Sequence, residues 1–302
     1  MTTAVDAIPP CPACGANRPA SRTPVPDREY GVAHLATYVA CGECGSLFQS
    51  PMPALAELAS FYPPTYHAQT GRGALNRVRQ ALRLRRLAPL LSGDGALLDF
   101  GCGNGAFLRY AAARLPGRQM LGYEIADQPR VETAAGGAVT LVHGSLDDLL
   151  PRLPQCALVT LNHVIEHLPD PLETATALVA RLRPGGAFEG QTPAAGSLEQ
   201  RVFRTCWSGY HAPRHTVVFS RRGLETLLTR AGLERPTTAG AFNPAALAVS
   251  LAATARRRTR RPIQRRGLAW LTYVALGAAL APIDLAGGAP GIQNFLAFKP
   301  RS

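Results

Sequence analysis

A short apolar strand that runs directly into a glycine-rich turn and then into a helix most constrains how this 302-residue chain can fold. The pattern predicts a strand at residues 96–100, a turn at residues 101–105 with glycine at every second position, and a helix at residues 106–115. In that order, the glycines let the backbone approach a nucleotide-like ligand at the N-terminus of the helix. We therefore expect one βα unit of a nucleotide-binding sheet here.

Strands and helices alternate from this point to near the end of the chain. Further strands are predicted at residues 120–125, 139–144, 157–161, 187–192 and 292–298, with helices at residues 172–182 and 222–231. Alternation of this kind favours a parallel, doubly wound sheet whose ligand lies at the carboxyl ends of the strands. Glu124 lies at the end of the second strand, where such sheets place an acid that accepts hydrogen bonds from ribose hydroxyls.

Two copies of the motif CxxCG lie near the N-terminus, with 26 residues between them. Two residues between thiolates let a tight turn point both sulfurs at one ion, and zinc closes a tetrahedron from two such turns. The sequence thus predicts a structural zinc, bound by Cys11, Cys14, Cys41 and Cys44, in a segment too small to fold alone. A redox-active CxxC pair is the alternative.

Three segments, taken in order, resemble motifs of one enzyme family. Residues 99–105 resemble motif I of the class I S-adenosylmethionine-dependent methyltransferases, which is an acid followed by three alternating glycines. Residues 163–171 and 182–186 resemble the fourth and fifth motifs of that family. The alternative for the turn, a nicotinamide-dependent oxidoreductase, would carry GxGxxG, whereas Ala106 stands at the sixth position here.

The resemblance covers residues 50–245 and implies an α/β fold with a Rossmann-like, seven-stranded methyltransferase sheet. The cysteine pairs and the segment 51–66 are similar to a bacterial subgroup that has a small N-terminal zinc ribbon. We therefore divide the chain into a four-cysteine zinc-ribbon module at 1–50, a connector and basic helix at 51–90, and a methyltransferase domain at 91–302.

The resemblance also implies which residues surround the methyl donor, S-adenosylmethionine. They are Asp99, Gly101, Gly103, Gly105, Glu124, Ser145, Leu146 and Asn162. In the family, the glycines approach the methionine part, the acid after the second strand holds the ribose, and the end of the third strand lies along the adenine. Asp99 would orient the loop and the amino group, and Asn162 would lie under the carboxylate or the sulfonium.

The segment 207–215 combines an indole, a phenol, two imidazoles and a guanidinium within nine residues. These groups suit the binding and deprotonation of a polar acceptor, because histidine titrates near physiological pH. Sugar C-methyltransferases with a zinc module, which this chain resembles, use a tyrosine and a histidine in the comparable stretch. Tyr210, His211 and His215 are therefore the candidate catalytic residues, while His163 and His167 are expected to be structural.

The net charge of +12 is confined to two clusters of arginine. The clusters are Arg72, Arg77, Arg79, Arg83, Arg85 and Arg86, and Arg256, Arg257, Arg258, Arg260, Arg261, Arg265 and Arg266. Without these thirteen, 19 basic residues face 20 acidic ones, so the rest of the chain is nearly neutral. For the first cluster we expect an amphipathic helix whose arginines are solvated and cover the core with their stems.

An insertion at about residues 245–290 contains the second arginine cluster and an apolar stretch at 268–281. Its 14 residues are fewer than the 17–25 that span a bilayer. Arginines followed by Trp270, Tyr273 and leucines suit a helix that lies on an anionic membrane, so we expect peripheral contact through residues 256–281. A core helix or a dimer-interface helix is the alternative, and an oligomer stays open.

The sequence as a whole predicts an enzyme that transfers a methyl group from S-adenosylmethionine to a small-molecule or glycan-lipid acceptor. The first residues lack a basic stretch followed by an apolar core, so they do not form a secretory signal and we expect a cytoplasmic protein. An RNA methyltransferase that grips phosphates with its ribbon and arginines is the alternative. It is disfavoured because aromatic residues do not alternate with these arginines and the ribbon has few basic residues.

Overall fold

The computed structural model describes residues 8–62, 74–126, 129–259 and 261–301. The strands, in chain order, are β1 (Pro19–Pro26), β2 (Leu35–Cys41), β3 (Leu47–Gln49), β4 (Ala96–Phe100), β5 (Met120–Ile125), β6 (Arg130–Ala134), β7 (Val139–Gly144), β8 (Cys156–Asn162), β9 (Leu182–Pro193), β10 (Val217–Val218), β11 (Glu234–Gly240) and β12 (Ile292–Phe298). The helices are α1 (Leu55–Ser60), α2 (Ala74–Leu87), α3 (Ala106–Ala112), α4 (Leu146–Leu149), α5 (Pro171–Ala180), α6 (Leu198–Phe203), α7 (Arg221–Arg230), α8 (Pro244–Ala255) and α9 (Gly267–Ala286). Arg72, Arg260 and connector residues 63–66 lie outside the described residues.

The central sheet confirms the predicted α/β fold. Its strand order is β11-β12-β9-β8-β4-β5-β7-β6, with β4, β5, β7, β8 and β9 parallel to one another. β12 runs antiparallel to both of its neighbours, and β6 runs antiparallel to β7 at the edge of the sheet. From β4 the chain continues to β5 and β7 on one side of the sheet and then to β8 and β9 on the other side. Doubly wound sheets bind their ligands at the point where the strand order reverses in this way.

The described residues contain eight strands in this sheet, so the predicted number of seven was too low by one. The additional strand is β6, whose sequence Arg-Val-Glu-Thr-Ala leaves four of five residues exposed, and β11, which was likewise not located in the sequence, has no buried residue. A strand without a buried face has no apolar period to reveal it. The residues of β4, by contrast, are all buried, so the apolar run in the sequence marks the strand directly.

The N-terminal cysteines lie at a second, four-stranded sheet, in the order β1-β2-β3-β10: Cys41 ends β2, Cys44 lies in the turn before β3, and Cys11 and Cys14 precede β1. Strand β10 comes from far along the chain and pairs antiparallel with β3. The cysteine turn also packs on α7, where a Cβ on Gly223 would come within 3.1 Å of the Cys44 sulfur. The segment with the CxxCG motifs is therefore packed against the main domain, while its boundary at residue 50 remains a prediction.

Helix α2 carries the first arginine cluster, and its contacts differ from the solvated face that we expected. Arg77, Arg79 and Arg85 are exposed, as expected. Arg83 instead reaches Asp99 of β4, with Nη2 2.6 Å from Oδ1, and Arg86 reaches Glu189 of β9 at 2.7 Å. Both carboxylates are buried, and a buried charge is costly unless it is paired, so the two arginines of α2 provide the pairing charges for these strands of the sheet.

Helices α8 and α9 form a pair that accounts for most of the predicted insertion. They pack closely at Gly277, where a Cβ would lie 2.4 Å from the carbonyl oxygen of Pro244. Helix α9 extends over 20 residues and continues through Pro282 to Ala286. The expectation of a 14-residue stretch too short to span a membrane was therefore wrong. By length and composition α9 can cross a bilayer, but a core helix of a soluble protein passes the same test.

Candidate functional site

An open cleft of about 990 Å³ runs along the carboxyl ends of the parallel strands. Gly103 and Glu124 line it from the sheet, and Val249 and Trp270 line it from α8 and α9. Five histidines also line it, and we refer to the four on the acceptor side, away from His143 of β7, as the histidine cluster: His163, His167, His211 and His215. The cleft therefore joins the glycine turn to the predicted acceptor segment.

The glycine turn between β4 and α3 has the geometry that a close backbone approach requires. Gly101, Gly103 and Gly105 have φ angles of +78°, +56° and +68°, a region that other residues rarely adopt. A Cβ on Gly101 would lie 2.3 Å from a methyl group of Val164, whereas at Gly103 it would meet nothing within 4 Å. The turn is thus tightly packed at Gly101 and open at Gly103, which lines the cleft.

Glu124 lies beside this turn at the end of β5. Its Oε2 accepts a hydrogen bond of 2.7 Å from the backbone N–H of Gly103. The carboxylate is thereby held at the mouth of the turn, in the position from which an acid can accept hydrogen bonds from a ribose. These residues fit S-adenosylmethionine, with backbone N–H groups at a helix N-terminus and an acid beside them.

The remaining predicted donor residues lie near the turn but make other contacts. The carboxylate of Asp99 is bound by Arg83, and its burial raises its pKa although Arg83 opposes this. Asn162 donates a hydrogen bond from Nδ2 to the Thr160 hydroxyl at 2.8 Å. Their roles toward a donor remain predictions.

The predicted adenine contacts, Ser145 and Leu146, begin helix α4. Ser145 is its N-cap, with a capping box in which the Asp148 side chain accepts the Ser145 N–H at 2.8 Å. The cap fixes the end of β7, where the family places the adenine. Leu146 is half-buried against the core.

His211 lies in the cleft wall between two fixed partners. Its Nδ1 is 2.7 Å from Oε1 of Glu29, and Nε of Arg214 donates a hydrogen bond to its Nε2 at 3.1 Å. The guanidinium can only donate, so Nδ1 carries the hydrogen that is given to Glu29. Burial would raise the pKa of Glu29, but His211, Arg265 and Arg214 hold it at about 2. Glu29 is therefore a carboxylate that orients this imidazole.

His215 and His167 face each other, with ring centroids 4.5 Å apart. Nδ1 of His215 lies 2.9 Å from the carbonyl oxygen of Gly209, and Nδ1 of His167 lies 3.1 Å from that of Arg214. Burial lowers the pKa of His167 to about 4, although the charge of Glu166 opposes this. Burial and the two neighbouring histidines also lower the pKa of His215 well below its usual value. Both imidazoles are neutral at neutral pH.

Glu166 is fully buried behind the histidines. Its Oε2 accepts a hydrogen bond of 2.9 Å from Thr192, and its Oε1 lies 3.2 Å from Nδ1 of His163. Burial would raise the pKa of Glu166, but the hydrogen bond and charge of His163 lower it overall. His163 in turn reaches Gln191 through Nε2 at 3.0 Å, so this pair ties the loop after β8 to β9.

Tyr210, the third predicted catalytic residue, lies outside the cleft lining. It is buried between the rings of Tyr38 and Trp207, with centroids at 4.9 Å and 5.4 Å. Its hydroxyl accepts a hydrogen bond of 3.3 Å from Gln200, and burial raises its pKa. Its catalytic role remains a prediction that these contacts do not support.

The four cysteines converge as a tetrahedral zinc site requires. The sulfurs of Cys11 and Cys44 are 3.7 Å apart, and those of Cys14 and Cys41 are 3.6 Å apart. A Zn–S bond of about 2.3 Å places the sulfurs of a regular tetrahedron about 3.8 Å apart. All four ligand atoms lie within 4.8 Å of one another, so this group fits a zinc ion with four thiolate ligands.

Two acids of the site, Glu29 and Glu166, were missed by sequence reasoning. Glu166 lies in the segment His163-Val-Ile-Glu166-His167, where three titratable residues in five positions were a detectable signal. Glu29 lies 182 positions from His211, and a pair at that distance leaves no local pattern. His167, which was expected to be structural, also lines the cleft.

Comparison with known proteins places these observations in a family. A model of the methyltransferase domain matches residues 74–235, which is just over half of the chain. A ubiquinone biosynthesis O-methyltransferase of Xanthomonas campestris is 32% identical over 161 residues, covering 50% of this chain and 65% of that protein. The protein of the same name from Saccharophagus degradans is 32% identical over 97 residues, covering 30% of this chain and 40% of its own length.

Among solved structures, the fold is similar to that of phosphoethanolamine N-methyltransferase 2 from Haemonchus contortus. The TM-score is 0.51 at 16% identity, and the match covers 84% of this chain and 62% of that one. That structure contains S-adenosylhomocysteine and phosphomonomethylethanolamine. At this identity the likeness concerns the fold alone.

Proposed function

The chain belongs to the methyltransferase-domain family, and from this premise we propose that it transfers a methyl group from S-adenosylmethionine to a small-molecule acceptor. The observation that carries the proposal is the single cleft shared by Gly103, Glu124 and the histidine cluster. A donor held at the glycine turn and an acceptor held by the histidines would meet inside this cleft.

When bound, S-adenosylmethionine supplies a methyl carbon whose bond to the sulfonium breaks, with the electron pair remaining on sulfur. Glu124 and the backbone of the glycine turn position that group, because displacement is fast only when the reacting atoms are aligned. Asp99 would orient the turn and the amino group from β4, and Asn162, at the end of β8, would lie under the carboxylate or the sulfonium.

Deprotonation of the acceptor falls to the histidine cluster. His211 is oriented by Glu29, in the way that a carboxylate fixes the tautomer of a catalytic imidazole. His215 is fixed by Gly209 and presents its other nitrogen. We propose one of these two as the base. If His211 is the base, its Nε2 takes the proton and no longer accepts the hydrogen bond from Arg214.

The acceptor that we propose is an oxygen nucleophile on a small molecule. The curated relatives are O-methyltransferases of ubiquinone biosynthesis, although the matched part spans only 40% and 65% of their lengths. An RNA substrate is not favoured by these relatives. The cleft also has an apolar wall from α8 and α9, which suits an acceptor with apolar parts.

We further propose that residues 256–281 bring the cleft to an anionic membrane surface. Leu268, Leu271 and Leu276 are exposed to solvent, and exposed arginines precede them. Nη2 of Arg265 lies 2.5 Å from Oε2 of Glu29, so the arginine segment is joined to the site itself. Each arginine near such a surface contributes on the order of 1 kcal/mol.

Methyl transfer from donor labelled in its methyl group tests the activity, with hydroxylated aromatic compounds and RNA as acceptors. His211→Gln should lower kcat by about 10²–10⁴-fold if it is the base, while the Kd for the donor stays unchanged. His34→Gln, which changes an imidazole outside the cleft lining, is the matched control. Label transfer to RNA alone, or to no acceptor, would refute the proposed small-molecule activity.

A further inference from the structure

Two members of the histidine cluster and a buried glutamate form a group of three residues whose ligand atoms lie close together. The group consists of Glu166, His167 and His215, and one ligand atom of each lies within 4.8 Å of the other two. In the part of the chain that the structure describes, the four cysteines form the other group of this kind. Nε2 of His215 is 3.9 Å from Oε1 of Glu166. Both histidines line the cleft, while the carboxylate lies behind them.

The hydrogen bonds of the two imidazoles determine which nitrogen is presented to this point. Nδ1 of His215 and Nδ1 of His167 each contact a backbone carbonyl oxygen, at 2.9 Å and 3.1 Å. A carbonyl can only accept, so Nδ1 of His215 carries the hydrogen and its Nε2 carries the lone pair. Nδ1 of His167 also lies 2.8 Å from the Tyr62 hydroxyl, which can accept the same hydrogen, and in that tautomer Nε2 of His167 carries the lone pair as well. Metal-binding histidines are held by the same arrangement, with the outer nitrogen donating to a backbone carbonyl or a carboxylate.

The carboxylate is held in a comparable way. Thr192 donates to Oε2 of Glu166, and His163 contacts Oε1, so both oxygens are oriented by neighbours. One nitrogen of each imidazole and one oxygen of the carboxylate therefore lie within 4.8 Å of one another. Three acceptors in such proximity repel one another unless a cation lies between them.

We infer that Glu166, His167 and His215 bind a divalent transition metal ion of the zinc type. Two imidazoles and one carboxylate form the ligand set of catalytic zinc sites that keep a fourth position open. Hard cations such as Mg²⁺ prefer sites made of oxygen alone. Metal–ligand bonds of about 2.0–2.2 Å place such atoms about 3.4 Å apart, so the observed 3.9 Å needs to shrink by about half an ångström.

The open position would face the cleft, next to His211, whose ring centroid is 4.9 Å from that of His215. An acceptor hydroxyl bound there would lose its proton more readily, because the cation stabilises the oxygen anion. The proton would pass to Nε2 of His211, and the oxygen would form its bond to the methyl carbon as the bond from that carbon to the sulfonium breaks, with the electron pair remaining on sulfur. This role rests on the proposed function, whereas the binding of the metal does not.

Cobalt(II) titration of the full-length protein, from which bound zinc has first been removed with a chelator, tests the inference in the absence of donor and acceptor. We expect two equivalents to bind: one with the thiolate-to-cobalt charge transfer of the cysteine site, and one that adds only weak d–d bands. His167→Gln and His215→Gln should each lose the second equivalent and keep the first. His143→Gln, which changes a cleft-lining imidazole on β7, should retain both.

Circular dichroism and donor binding establish that each variant is folded. If the wild type binds only the equivalent with charge transfer when cobalt is in excess, the inference is wrong. Persistence of the second equivalent in both His167→Gln and His215→Gln would contradict it as well. Either result leaves the methyltransferase proposal intact, because methyl transfer is measured separately, and a chain without transfer activity could still bind two equivalents.

Discussion

Replacing Glu199 by glutamine should remove a fall in stability that the wild-type protein shows as the pH rises from 6 to 8. Glu199 on α6 is 3% exposed and lies beside the buried Asp284 of α9. Burial, and then the charge of Asp284, raise the pKa of Glu199 from its usual 4.5 to about 8. The Gly291 amide and the Trp207 side chain oppose this shift but do not cancel it.

The sign follows from which state holds the proton. Between pH 4.5 and 8 the folded protein keeps the Glu199 proton and the unfolded chain does not, so stability is present at low pH and decreases as the pH rises. At 1.36 kcal/mol per pKa unit, the loss between pH 6 and pH 8 is about 2 kcal/mol. Glutamine stays neutral throughout, so this part of the pH dependence should disappear in Glu199→Gln.

Urea unfolding at pH 6 and pH 8 measures the effect, with Glu57→Gln on the exposed face of α1 as the control. The control should keep the wild-type difference between the two pH values. The reasoning fails if wild type is equally stable at both pH values, or if Glu199→Gln retains the full difference. Asp284 also holds α9 next to the start of β12, because its Oδ2 accepts a hydrogen bond of 3.1 Å from the N–H of Gly291.

Three further results are expected. The cysteine site should hold one tightly bound zinc in the purified protein, and the double variant Cys11→Ser with Cys41→Ser should contain one equivalent less than the wild type and unfold the N-terminal sheet; an unchanged zinc content in that variant would contradict the assignment. Arg83→Met should cost about 3–5 kcal/mol in urea unfolding because it leaves the Asp99 carboxylate buried without a partner, and a cost no larger than that of the exposed Arg79→Met would refute this. In vesicle flotation, the protein should bind anionic vesicles more weakly as salt rises, and a protein that stays soluble with all vesicles would exclude the membrane role of residues 256–281.

The parts of the fold that could be predicted from the sequence are those set by neighbouring residues. Strands β4, β5, β7 and β12 begin and end where their apolar runs do, because buried strands of such a sheet need apolar residues on both faces. The CxxCG pairs are also local, so the cysteine group was predicted completely. Helix α9 was predicted too short because its apolar run ends before Pro282, whereas the helix continues past it.

The histidine cluster could be predicted only in part, because distant segments assemble it. His211 and His215 were found from their local composition, but Glu29 reaches His211 from the N-terminal region. The partner of Asp99 was also missed, since an arginine on an amphipathic helix has the same pattern whether it is solvated or reaches a buried acid. Contacts of this kind depend on tertiary packing, which no periodicity in the sequence records.

Calorimetry of S-adenosylmethionine binding tests the central claim most directly. The account predicts that the wild type binds the donor and that Glu124→Ala weakens binding by about 1–3 kcal/mol, the usual cost of losing a hydrogen bond to a charged group. Glu234→Ala, at a partly exposed acid on β11 outside the cleft, should bind as the wild type does. A wild type that does not bind S-adenosylmethionine, or a Glu124→Ala variant that binds it unchanged, would contradict the account.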